Sequence, residues 1–228
     1  MRITIIIPVL DEAASIAETL APLQSARATG HEIVVVDGGS SDRTREVAAP
    51  LADRVVEGPR GRAAQMNRGA ELASGDVYWF LHADTRAPEG AADAIVDACS
   101  GGRRAWGFFR VRLDAPGPAF RIIGTAMTWR SRMTGIATGD QGLFASRRLF
   151  DSVGGFPAVP LMEDVALSQS LRQRQVPVRL PEQLSTSARR WQQHGTWRTV
   201  LLMWRLRLAY FLGADPARLH ERYYGTQP

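Results

Sequence analysis

Through the first hundred residues, short apolar runs alternate with helical stretches, and turn residues separate them. The pattern predicts strands at residues 4–8, 32–36, 54–56 and 77–81, and helices at 12–28, 42–51, 62–73 and 91–99. Gly30 ends the first helix, and Gly58-Pro59-Arg60-Gly61 makes a loop before the third. Strands and helices in this alternation build a parallel sheet from βαβ units, an α/β fold with helices on both faces.

The rhythm changes after Ser100. Phe109, Val111 and Leu113 alternate with Phe108, Arg110 and Arg112, a strand with one wet face. Helices are expected at 120–133 and 164–174, with a short strand at 142–145. Residues 196–212 form a last helix, apolar nearly all round but carrying Arg198 and Arg205 on one face. It packs on the core, as helices of that kind usually do, or it lies in a membrane interface with its arginines reaching headgroups. The division expected is a domain at 1–184, halved near residue 100, with a helical appendage at 185–228.

Charge sharpens that division. Residues 1–100 hold 9 arginines against 15 acidic residues, residues 101–184 hold 12 against 6, and residues 185–228 hold 7 against 2. A basic second half suits a polyphosphate ligand or an anionic membrane surface. No nucleic-acid-binding motif is present, so no nucleic-acid partner is expected. All 28 basic residues are arginine, which excludes Schiff-base lysine chemistry and a P-loop. The single cysteine, Cys99, permits no internal disulfide and fits a reducing cytoplasm. The opening apolar run, residues 3–9, is too short for a secretory signal, and no 18-residue uncharged apolar stretch exists. The expected location is cytoplasmic, peripheral at the inner face of the cell membrane.

The chemistry gathers where predicted strands end. Val34-Val35-Val36 runs into Asp37-Gly38-Gly39-Ser40-Ser41-Asp42, either a well-capped strand-to-helix turn or a pair of carboxylates facing the crevice where open α/β sheets bind ligands. Pro8-Val9-Leu10-Asp11-Glu12, His82-Ala83-Asp84 and Leu161-Met162-Glu163-Asp164 are the other such segments. Parallel strands share one carboxyl edge, so these acidic segments should meet. An acidic crevice that receives an anion needs a divalent cation between them, which a diphosphate ligand would explain. A dehydrogenase is excluded by the missing glycine fingerprint after strand one. A pyrophosphorylase is excluded by the missing glycine-rich loop and lysine.

The opening Ile7-Pro8-Val9-Leu10-Asp11-Glu12, the Asp37–Asp42 turn, Gly61-Arg62-Ala63-Ala64-Gln65-Met66-Asn67-Arg68-Gly69, His82-Ala83-Asp84 and Glu163-Asp164 occur in the order of a family 2 glycosyltransferase of the GT-A fold, which the chain resembles over nearly its whole length. The resemblance implies a Rossmann-like fold and inverting transfer of a sugar from a UDP- or GDP-linked donor to an acceptor hydroxyl, with Mn²⁺ or Mg²⁺. It implies that Pro8, Leu10 and Glu12 line a nucleoside pocket, that Asp37 accepts from the base beside Gly39, and that Asp42 supports the loop. Gly61, Arg62, Asn67 and Ala83 are implied to lie along the nucleotide, and Asp84 to bind the metal. His82 stands where the family usually has a first aspartate, a departure.

Asp164 matches the family's catalytic base, although Glu163-Asp164 also reads as an acidic first turn that stabilises a helix. His194 sits about where some relatives complete the metal site, and otherwise reads as structural beside Trp191. Asp140 and Gln141, in Gly139-Asp140-Gln141-Gly142, contact sugar or acceptor, or form a tight turn; Glu163 is placed with them. The acceptor is not legible; the arginine-bearing apolar helix favours a lipid-linked one. A non-catalytic nucleotide-binding or membrane-adaptor protein on the same fold is the alternative.

Overall fold

The computed structural model describes residues 1–100 and 105–225, without the side chains of Arg190, His194 and Tyr224. The N-terminal half runs β1 (Ile3–Val9), α1 (Ile16–Leu20), α2 (Gln24–Ala28), β2 (Glu32–Asp37), α3 (Thr44–Ala48), β3 (Arg54–Glu57), α4 (Arg62–Leu72), β4 (Val77–Phe80), β5 (Thr85–Arg86) and α5 (Ala91–Cys99). The remainder runs β6 (Trp106–Asp114), α6 (Pro118–Thr134), β7 (Phe144–Ser146), α7 (Arg147–Ser152), α8 (Glu163–Arg174), β8 (Val178–Ser187), α9 (Arg189–His194), α10 (Thr196–Phe211) and α11 (Pro216–Tyr224).

These strands form one mixed sheet in the order β3-β2-β1-β4-β7-β6-β8-β5. The first four are parallel, with Ile6 opposite Val34 and Ile5 opposite Trp79. β7 runs antiparallel to both β4 and β6, and β8 is parallel to β6. Period-two alternation on β1 explains the layering. Ile3, Ile5, Ile7 and Val9 face a core with Ile16, Leu20 and Ile95, while Ile6 faces one with Met66, Ala70 and Phe150. Helices therefore cover both faces, as the apolar runs predict.

The differences have local causes. The helix expected at 12–28 is broken into α1, a 3₁₀ turn at Ala21–Leu23 and α2, because Pro22 cannot donate to the helical ladder. Pro50 does the same at Ala49–Leu51. The wet face expected on β6 begins only at Arg110, since Trp106 and Phe108 are buried against the second core. β8 is absent from the sequence-based expectation. Pro181 interrupts it, and the register with β6 shifts between Phe108 and Arg110 to absorb the extra residues.

The chain leaves β1 for β2 on one side and returns to β4 on the other, so β1 sits at a topological switch point. The carboxyl ends of β1, β2 and β4 open onto that crevice. Across it, α10 and α11 pack on the start of α8: Leu206 and Leu219 join Leu161, Met162 and Val165 in a separate apolar cluster.

Candidate active site

Two loops at the switch point are stitched together by short polar side chains. The Asp11 carboxylate accepts from the Ser41 amide at 2.7 Å, and the Ser40 hydroxyl accepts from the Asp11 amide at 2.9 Å. Thr44 Oγ1 accepts from Glu12 N at 2.8 Å, and Asp42 from Ala13 N at 3.0 Å. The Thr44 hydroxyl, with the Ala13 and Thr44 amides, holds the Asp42 carboxyl below the ordinary range. Asp11 has φ +53°, a left-handed conformation that a non-glycine residue adopts at a cost. Beneath the loops Gln65 donates to both Val9 O and Val36 O at 2.8 Å, tying β1 to β2.

The second constellation joins the end of β4 to the 3₁₀ turn Gly139–Gln141. His82 Nδ1 lies 3.4 Å from Asp140 Oδ1. One ligand atom from each of His82, Asp84 and Asp140 falls within 4.8 Å of the others. Burial works against a charged imidazole, but the Asp140 hydrogen bond and the nearby carboxylates outweigh it, so the His82 pKa is raised. Burial and the Asp140 charge push the Asp84 carboxyl up. Asp140 goes the other way: burial would raise it, yet the His82 bond and the His82 and Arg62 charges hold it below the ordinary range. Asp84 is thus a carboxylate whose charge is under-compensated, which a divalent cation on the three groups would correct. Two carboxylates and one imidazole fit Mn²⁺ or Mg²⁺ with positions left for phosphate oxygens and water.

Asp164 opens α8 and is fixed to the same turn: its Oδ2 accepts from the Gly139 amide at 2.7 Å. Met162 before it has φ +66°, the other strained non-glycine residue described. Glu163 is buried, and burial followed by the Asp164 charge raises its pKa. Behind the turn stands Arg130 of α6. Burial lowers its guanidinium pKa, against the opposing charges of Asp164 and Asp140. In front of Arg130, one cavity of about 340 Å³ is lined by Glu12, Arg62, His82, Asp84, Asp140, Glu163 and Asp164. Its other wall comes from the C-terminal helices, including Arg189, Trp191, Met203, Arg207 and Tyr223. Arg189 pairs with Glu12 at 3.3 Å.

The structure brings Glu12, Arg62, Asp84, Asp140, Glu163 and Asp164 to that cavity and sends other expected residues elsewhere. Asp37 is fully buried and accepts from the Ser40 amide and hydroxyl. Pro8 is buried within β1, Leu10 is half-buried at its end, and Ala83 is buried with its carbonyl accepting from Thr19. Gly39 and Gly61 take φ +92° and +123°, turns that suit glycine. Asn67, expected along the nucleotide, instead exchanges two hydrogen bonds with the Phe156 backbone at 2.8 and 2.9 Å. Gln141 does not reach the cavity either. It is buried, accepting from Ser131 at 2.6 Å and donating to Phe109 O at 3.1 Å, and so it shapes the turn that carries Asp140. The His194 side chain lies outside the described residues. Arg130, Gln65 and the α10 residues were not anticipated; their roles arise from contacts between distant segments.

Residues 4–153 match the family described as Glycosyl transferase family 2. The chain belongs to glycosyl transferase family 2. A dolichol-phosphate mannosyltransferase of Pyrococcus furiosus is 31% identical to this chain over 109 residues, 45% of this chain and 31% of that protein. An undecaprenyl-phosphate 4-deoxy-4-formamido-L-arabinose transferase of Pseudomonas paraeruginosa is 30% identical over 154 residues, 61% of this chain and 44% of its own length. The chain therefore spans less than half the length of these curated relatives. Among solved structures, the complex of S. aureus TarS 1-349 with UDP-GlcNAc has a TM-score of 0.63 at 16% identity, covering 82% of this chain and 58% of that one. Glucosyl-3-phosphoglycerate synthase from Mycobacterium tuberculosis with Mn²⁺ and UDP gives 0.60 at 19%, covering 79% and 70%. Both establish the GT-A fold for this family 2 glycosyltransferase. The family match stops at Val153, so Glu163, Asp164 and the C-terminal wall of the cavity rest on geometry alone.

Proposed function

We propose that the protein transfers a sugar from a UDP- or GDP-linked donor to an acceptor hydroxyl with inversion at the anomeric carbon, assisted by Mn²⁺ or Mg²⁺. One observation carries this reading: the turn that presents Asp140 to His82 and Asp84 also holds Asp164 through the Gly139 amide, so a cation site and a base share one rigid turn in one cavity. His82, Asp84 and Asp140 would hold the cation, which when bound neutralises the donor diphosphate. The imidazole in the set favours Mn²⁺, the ion named with the synthase relative, over Mg²⁺. Arg62 lines the same wall and adds positive charge there. The nucleoside lies over the stitched loops, near Leu10, Glu12 and Gly39, with buried Pro8 and Asp37 beneath and Asp42 bracing them.

Asp164 takes the proton from the acceptor hydroxyl as its oxygen bonds the anomeric carbon; the bond to the diphosphate breaks on the opposite face and its electrons leave with the diphosphate. Its held Oδ2 fixes the carboxylate's orientation, which is what a general base needs. The acceptor enters from the α9–α11 side, between Trp191, Met203 and Tyr223. Two relatives named for dolichol-phosphate and undecaprenyl-phosphate support a lipid-linked acceptor, which would place the protein at the inner face of a membrane.

Calorimetry with UDP and GDP, each with and without Mn²⁺, tests the reading. One nucleotide should bind more tightly with Mn²⁺, and Asp84→Ala should cost that complex about 10- to 100-fold in affinity. Binding that ignores both Mn²⁺ and Asp84→Ala overturns it.

A further inference from the structure

Apart from Met1 and Val176, every large hydrophobic side chain described as exposed lies on α6, on α10 or on the residue after it. Along α10 the positions Trp197, Leu201, Trp204, Leu208 and Phe211 recur at intervals of four and three, one stripe of a helix. Trp197 is 67% exposed and Trp204 71%, while Thr199 and Leu206 on the far side are buried. On α6, Ile122, Trp129 and Met133 make a second stripe, Trp129 being 65% exposed, with Gly124, Thr128 and Ser131 turned inward. Phe120 and Met127 of α6 gather with Trp191 and Val200 around Ile123 and Ala188, so both helices border the same small apolar cluster. Exposed apolar stripes rimmed by polar side chains on a folded protein mark interaction sites.

Charge selects the partner. Neither helix contains an acidic residue. Arg121 and Arg132 on α6, and Arg198 and Arg205 on α10, are all exposed around the stripes. A second copy of this face would press like charges together, whereas an anionic lipid surface is complementary to it. Tryptophan, leucine and flanking arginine are also the side chains that settle at the headgroup boundary. No helix among the described residues is long and apolar enough to cross a membrane, so the contact is interfacial.

We propose that the α6–α10 face docks the protein on an anionic bilayer, with Trp129, Trp197 and Trp204 entering the headgroup region and the four arginines contacting lipid phosphates. α10 couples this surface to the cavity. Thr199, Met203 and Arg207 line it, and the buried Nε of Arg207 has no hydrogen-bond partner among the described residues. One flank of α10 therefore faces the cavity and the next faces the bilayer, which delivers a membrane-borne acceptor beside Asp164. This last step rests on the transferase reading above; the docking does not.

The test is co-sedimentation of the whole chain with phosphatidylglycerol–phosphatidylcholine vesicles and with phosphatidylcholine alone. Binding is expected to the anionic vesicles, to weaken as salt rises from about 50 to about 500 mM, and to blue-shift the tryptophan fluorescence of the unaltered protein. Arg198→Ala with Arg205→Ala should weaken it about five-fold per arginine. Trp197→Ser with Trp204→Ser should weaken it at least about ten-fold. Nucleotide binding, measured by calorimetry, should be unchanged in both variants and shows that they are folded. No sedimentation at low salt with no spectral shift overturns the proposal, as does a concentration-dependent dimer that the tryptophan substitutions dissolve. Vesicle binding without any Mn²⁺-dependent nucleotide binding would leave the docking face standing and remove the transferase reading.

Discussion

Gly139→Ala adds a single methyl group beside the proposed cation site and removes no ligand. Gly139 lies outside the positive-φ region, so alanine can adopt its backbone conformation. The added Cβ would fall 2.1 Å from His82 Nε2 and 2.2 Å from its Cε1, where ordinary contact begins at 3.4 Å. The imidazole must retreat by more than an ångström. It has little room to do so, being largely buried and held by Asp140 at 3.4 Å. A metal site tolerates ligand displacements of only about 0.2 Å, so the retreat uncouples His82 from Asp84 and Asp140. Mn²⁺ affinity at saturating nucleotide diphosphate should fall about 10- to 100-fold. The overpacking itself should cost about 1–3 kcal/mol of stability. Calorimetric titration of Mn²⁺ reads the first effect and urea unfolding the second. If Gly139→Ala kept wild-type Mn²⁺ affinity while losing the expected stability, His82 would not belong to the cation site.

Two further predictions concern the scaffold. His31 Nδ1 accepts from the Ile3 amide at 3.1 Å, and burial, partly opposed by the Asp93 charge, lowers its pKa from 6.5. A folded pKa below the unfolded one gives stability that is present above pH 6.5 and lost as pH falls through the folded value. His31→Gln retains an acceptor and should flatten that part of the melting-temperature curve below pH 6.5; an unchanged slope would contradict the assignment. Gln65→Leu strips one donor from two buried carbonyls and should cost about 1–3 kcal/mol in urea unfolding. A loss under about 0.5 kcal/mol would show that water replaces it.

The parallel half of the sheet was legible because its strands are apolar runs ending in carboxylates. The same property located the loops at Glu12, Asp37 and Asp84. Pro22 and Pro50 carried a helix-breaking signal that the expected helices overran. β8 was hidden because Pro181, Glu182 and Gln183 interrupt its alternation, and only pairing with β6 makes it a strand. Asp140 read as a sugar contact or a tight turn. It belongs to a turn and also to the His82–Asp84 cluster, a proximity created when β7 pairs antiparallel with β4. Asn67, which the family resemblance places along the nucleotide, and Gln141, which reads as a sugar or acceptor contact or as part of a tight turn, both satisfy buried backbone. The helix at 196–212 was apolar enough to suggest burial, and only its packing shows which stripe is covered and which is not.

The account centres on Asp164 as the base on the turn that carries the cation site, and Asp164→Asn tests this most directly. Asparagine keeps an oxygen for the Gly139 amide but cannot take a proton at neutral pH. Measured with the donor and acceptor that the wild-type protein uses, turnover should fall about 100-fold or more while Mn²⁺-dependent nucleotide binding stays at the wild-type level. Near-normal turnover in Asp164→Asn would place the base elsewhere and contradict the account.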